Sequence, residues 1–119
     1  MTNPRPDPWP WSETMDGPLA APDHHRVIFE NDRVRVLEVV IRAGDTAPLH
    51  THGAPTVSYV LSGSSFIRRN EHGTVVVDTL KLDPPFVMPP VVWSDFIGAH
   101  TLQNPGPEDL RLIAVELKD

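Results

Sequence analysis

Fourteen of the 119 residues are proline, about twice the usual share. A proline ring fixes φ, has no N–H and clashes with the preceding helical turn, so helix interiors and central strands exclude it. Such a chain is left with short strands between turns marked by proline and glycine. The apolar pattern agrees. Val27-Ile28-Phe29 runs into the turn Glu30-Asn31-Asp32, and Val34–Ile41, rich in β-branched residues, ends at Ala43-Gly44-Asp45. Residues 56–61 predict a strand closed by Ser62-Gly63, and residues 65–69 and 74–82 a hairpin joined at Asn70-Glu71-His72-Gly73. Residues 86–88, 100–103 and 110–117 predict the remaining strands. No segment holds a 3.6-residue period. The expectation is all-β: a small antiparallel β-barrel or jelly roll over residues 23–119, with no repeat and no second domain.

Residues 1–22 read differently. Prolines dominate, with Trp9, Trp11 and Met15 set among polar residues, which predicts an irregular, extended arm. Each tryptophan carries a large apolar area that is unfavourable to leave in water. The arm is therefore expected to pack across its own barrel or onto a second subunit, the alternative being a partly disordered tail.

Charge and composition remove several function classes. The net charge of −6 gives no electrostatic attraction to nucleic acid or anionic lipid. With no cysteine, disulfides, thiolate metal sites and thiol catalysis are excluded. The opening MTNPRPDPWPWSE has no apolar run of a secretory signal, and no stretch reaches the roughly 18 apolar residues of a membrane span. The expectation is a cytoplasmic protein.

The chemistry concentrates in Gly44-Asp45-Thr46-Ala47-Pro48-Leu49-His50-Thr51-His52. On a strand, residues two apart face the same side, so His50 and His52 aim at one point while Thr51 faces away. Two imidazoles so placed suit one divalent ion, and His100, at the start of another predicted strand, can close a three-point site. His24 and His25 are expected merely to flank the first strand, and His72 to sit solvated in its turn.

These residues resemble the motifs of the cupins. The first cupin motif, G-x5-H-x-H-x3,4-E-x6-G, is matched at Gly44, His50, His52 and Gly63. Of the second, G-x5-P-x-G-x2-H-x3-N, only His100 and Asn104 match; Asp95 and Ile97 stand where the family has Pro and Gly, and Gly98 is displaced by one position. The resemblance covers residues 27–117 and implies a metal-binding barrel, commonly a homodimer. Thr56 stands where the family carries its metal-binding glutamate. A threonine hydroxyl is a poor ligand, so the site offers three neutral imidazoles and leaves open positions for water or an anionic, chelating small molecule.

The resemblance thus implies one divalent ion (Fe, Mn, Ni or Zn) and a metal-dependent enzyme, an oxygenase before an isomerase or lyase. The alternative is a non-catalytic module that binds or senses a small acid, possible without metal. Thr56, Tyr59, Met88, Trp93, Asp95 and Phe96 are candidates for the pocket wall. Glu38 and Glu116 interrupt apolar strands, and the sequence leaves open whether either points inward.

Overall fold

Nine strands build the chain in the computed structural model, which describes residues 5–118. They are β1 (His25–Glu30), β2 (Val34–Ile41), β3 (Thr46–His52), β4 (Thr56–Ser62), β5 (Ile67–Asn70), β6 (Val75–Asp78), β7 (Val91–Ser94), β8 (Ile97–Gln103) and β9 (Leu110–Leu117). One sheet has the order β1-β2-β9-β4-β7, the other β3-β8-β5-β6, with antiparallel pairing of the strands throughout. This is the jelly-roll architecture expected, but the two sheets are not hydrogen-bonded into a closed barrel.

The spine of the larger sheet is β2 on β9, in unbroken register from Val34 opposite Leu117 to Ile41 opposite Leu110. Strand alternation then sorts the side chains. Leu37, Val39 and Ile41 are buried from β2, and Leu110, Ala114 and Glu116 from β9. The apolar core is consequently thin: Leu37, Val39 and Ala114 form one cluster, and Ile41, Ala47 and Leu110 another, with Leu112 packed against both. Between the sheets a cavity remains.

Two devices hold the smaller sheet in place. The Asn104 side chain is fully buried; its Nδ2 donates to the carbonyls of Ile41 (2.9 Å) and Glu108 (2.8 Å), and its Oδ1 accepts from the Gly106 N–H (3.0 Å). Its backbone N–H donates to Asp45 O and its carbonyl accepts from Gly44, tying the entry to β3 to the exit from β8. Gly63, at φ 132°, ends β4 where an added Cβ would lie 2.5 Å from Leu110 Cδ1, so both its conformation and its space require glycine.

The structure differs from the sequence expectation in three places. Residues 86–88 form no strand, because prolines at 84, 85, 89 and 90 remove the N–H groups a ladder needs; β7 begins just beyond them, as an edge strand on β4. The strand predicted to reach residue 82 stops at Asp78, whose side chain accepts from Leu80 N–H (3.0 Å) and caps a 3-10 turn, Thr79–Lys81. The arm is not wholly irregular. It carries a 3-10 turn, Glu13–Met15, and a short helix α1, Gly17–Ala20, with Pro18 in its first turn, where a missing N–H does no harm.

The arm packs across its own sheets. Asp16 forms a bridge to Thr51 of β3. The Trp11 ring fills the space over Gly98 of β8, 2.4 Å from where a Cβ would stand, while Trp9 packs edge-on against Trp11 (4.8 Å) and Phe96 (6.2 Å). The tryptophan area assigned to a barrel or a partner thus goes to the chain's own surface; residues 1–4 of the predicted arm lie outside the described residues. No helix among the described residues is long and apolar enough to cross a membrane.

Candidate metal centre

Register brings the site together. In the β3–β8 ladder His50 stands directly opposite His100, and their ring centroids are 4.3 Å apart. The i, i+2 spacing puts His52 beside them, 4.8 Å from His50 and 5.2 Å from His100. A fourth ring joins from β1: His25 lies 4.5 Å from His50 and 5.4 Å from His52. This corrects the expectation that His25 only flanks the first strand. The ligand nitrogens of His25, His50 and His52 lie within 4.8 Å of one another.

The tautomers follow from the partners. His25 Nδ1 faces the Ala21 carbonyl (3.0 Å), His50 Nδ1 that of Pro48 (2.6 Å), and His100 Nδ1 that of Gly98 (2.7 Å). A carbonyl only accepts, so each Nδ1 carries the proton and each Nε2 presents a lone pair. His50 Nε2 is 3.1 Å from His52 Nε2. Two ring nitrogens at that distance share a proton or an ion. Burial, reinforced by the neighbouring rings, pushes His50 down to about 3, and burial pushes His100 down to about 4. His25 is lowered by burial as well, and His52 is pushed well below its usual value, first by burial and then by the neighbouring rings. At neutral pH the cluster is therefore uncharged, with its lone pairs available. That donor set fits a divalent ion: imidazole nitrogens, already oriented by carbonyl hydrogen bonds on the far side of the ring.

The histidines line a cavity of about 100 Å³ whose other walls include Leu37, Val39, Ile41 and Leu112. Thr56 and Glu116 also line it, and they are direct partners across the β4–β9 ladder. The Thr56 hydroxyl donates to the Ala54 carbonyl (3.0 Å). Glu116, only 2% exposed, pairs through Oε1 with Arg35, which also makes two hydrogen bonds to Asp16 (2.8 and 3.0 Å). Burial works against the Arg35 charge, but Asp16 and Glu116 outweigh it and hold the guanidinium above its usual value. For Glu116 burial prevails over Arg35 and raises the carboxyl.

No protein-family model matches the sequence, and no curated relative matches it. Solved structures do match the fold. A cupin domain from Bordetella pertussis aligns at TM-score 0.59 and 16% identity, over 80% of this chain and 92% of that one. The chain has the cupin fold. A "predicted oxalate decarboxylase" of Thermotoga maritima aligns at TM-score 0.50 and 20% identity (80% and 79% of the two chains). The polyketide cyclase RemF of Streptomyces resistomycificus aligns at 0.51 and 16% (80% and 64%).

Within this cupin fold the other residues expected at the pocket scatter. Tyr59 and Trp93 are more than half exposed. They point outward because Thr56 and Ser58 of β4, and Ser94 of β7, take the inward positions. Asp95 is exposed, and Phe96 packs under Trp9. Met88 lines a second, adjacent pocket rather than the histidine cavity. His24 turns away from His25 and bonds Asp45 (2.8 Å), and His72 is exposed in its turn. Glu38 faces out and pairs with Arg26 (3.0 Å), whereas Glu116 faces in. Sequence reasoning missed His25 and Arg68 as residues of the cavity.

Proposed function

We propose that this chain binds one divalent ion through His50, His52 and His100, with His25 as a further ligand, and acts on a small anionic molecule in the adjoining cavity. The carrying observation is the convergence of neutral, pre-oriented imidazoles on that cavity. Bound there, a divalent ion supplies Lewis acidity and, as Fe(II), a route to dioxygen. The protein's part is positional. Ala21, Pro48 and Gly98 fix three of the rings through their carbonyls, and the apolar wall of Leu37, Val39, Ile41 and Leu112 limits water around the reacting molecule. Neutral ligands leave the ion's charge uncompensated, which favours an anionic substrate.

Among the compatible chemistries we place a dioxygenase first, with Mn, Ni or Zn giving isomerase or lyase reactions instead. The decarboxylase and cyclase among the structural neighbours illustrate that one fold carries several reactions. Thr56, whose hydroxyl is turned to Ala54, supports the second reading, a module that binds a small acid without turnover. The test is oxygen consumption and product formation by the Fe(II)-loaded chain across a panel of small acids. Turnover abolished in His100→Ala supports the enzyme; binding of an acid with no turnover under any of the four metals selects the second reading.

We further propose a homodimer, supported by the exposed apolar strip of Tyr59, Leu61, Val91 and Trp93. Light scattering giving a monomer at all concentrations contradicts it.

A further inference from the structure

Arg68 carries a charge that no carboxylate among the described residues answers. It lies on β5 beside Arg69, and alternation sends the two in opposite directions. Arg69 bonds Gln103 Oε1 (2.7 Å). Arg68 points into the histidine cavity and lines the neighbouring pocket too. Its Nε is buried with no hydrogen-bond partner, and among the described residues it pairs with no carboxylate. Its guanidinium carbon stands 5.6 Å from the centroid of the Phe66 ring. The acid in the same cavity, Glu116, gives Oε1 to Arg35 and leaves Oε2 buried without a hydrogen-bond partner, and it forms no ion pair with Arg68. Imidazole, whether neutral or protonated, supplies no negative counter-charge. A guanidinium in a protein does not give up its proton, and a half-buried charge without a partner favours an anion that can reach it. The cavity therefore offers an anion a ready partner.

We infer that Arg68 is the anchor for the carboxylate of a small monocarboxylic acid whose apolar part lies in the pocket formed by Val60, Phe66, Met88, Val92 and Leu110. The guanidinium fork matches a carboxylate with two parallel hydrogen bonds. Ser58, Arg68, Ser94, Leu102 and Leu112 line both spaces, so a ligand held at Arg68 borders the histidines on one side and the apolar pocket on the other. Each space measures about 100 Å³, which limits the apolar part to a short chain or a single ring. One unpaired guanidinium selects one carboxylate.

This inference rests on the proposal that the histidine cavity is the binding site, but not on a metal being there. Calorimetric titration of the full chain, after chelator treatment and again after loading with Zn, with butanoate, benzoate, oxalate and uncharged butanamide, separates the two. The expected result is binding of butanoate or benzoate over both oxalate and butanamide. Arg68→Gln weakens that binding by roughly tenfold to a hundredfold, and Arg68→Lys by less. Metal content of both variants stays at the wild-type level. Carboxylate binding that depends on Arg68 in a chain that takes up no metal upholds the anchor and refutes the metal proposal. Equal binding to wild type and a folded Arg68→Gln, preference for oxalate or the amide, or no binding at about millimolar acid overturns the anchor. Circular dichroism establishes that the variants are folded, and Arg68→Lys provides the second reading should Arg68→Gln not fold.

Discussion

The two halves of the histidine cluster are built by different means. His50, His52 and His100 are placed by a β ladder: register sets His50 opposite His100, and the two-residue period sets His52 beside them. His25 is placed by the arm. Its Nδ1 is held by the carbonyl of Ala21, the residue that caps the end of α1, and its ring lies against Gly17, where an added Cβ would be 3.1 Å from the imidazole. The first half belongs to paired strands, although the β3–β8 register shifts on either side of His50. The second depends on a four-residue helix whose anchors are the Asp16–Arg35 pair, the Asp16–Thr51 bridge and Trp11 on Gly98. A short helix has little stability of its own, so the arm half is the part of the site that packing alone must hold.

The sharpest test of that contrast is a pair of single substitutions. His100→Ala is expected to lower metal affinity more than a hundredfold, because it removes one of the three proposed ladder ligands; His25→Ala, at the proposed further ligand, is expected to lower it by about tenfold while about one equivalent of ion still binds. Competition against a chelating dye measures both. Equal losses would mean that the arm is as much a part of the centre as the ladder.

A smaller effect is expected from the arm's far anchor. Gly98→Ala forces a methyl group into the Trp11 ring, so the arm must lift, destabilising the fold by about 1–3 kcal/mol. Thermal melting should fall, and tryptophan emission should shift to the red, while the ion stays bound with only slightly reduced affinity. Unchanged melting and emission would show that Trp11 is not an anchor.

The contrast also explains what could be read from the sequence. The ladder half was legible because strand periodicity is local: His50 and His52 share a face whatever the rest of the chain does. Strand β2 and strand β9 were readable with their bounds, since both are apolar runs, β2 rich in β-branched residues, flanked by turns. Glu116, which the sequence left open, turns inward with Ala114 and Leu112, and its ion pair with Arg35 is formed there. Tyr59 is turned outward by strand alternation, three residues from the inward Thr56, although chemistry had suggested it for the pocket. His25 was not legible. Alternation requires one of His24 and His25 to face inward, but the choice is made by the Ala21 carbonyl and by the packing of α1, neither of which leaves a local trace. Arg68 poses the same ambiguity beside Arg69, and only the tertiary structure shows which of the two meets a cavity. The absent strand at residues 86–88 shows the reverse: its apolar residues promised a ladder that the flanking prolines forbid.

The central claim is that the histidines hold an ion, and elemental analysis of the untagged chain purified without chelator tests it most directly, beside a His50→Ala/His52→Ala variant. The account predicts about one equivalent of Fe, Mn, Ni or Zn in the wild type and none in the variant. A wild type that arrives empty, and remains empty after incubation with each of those ions, would contradict it.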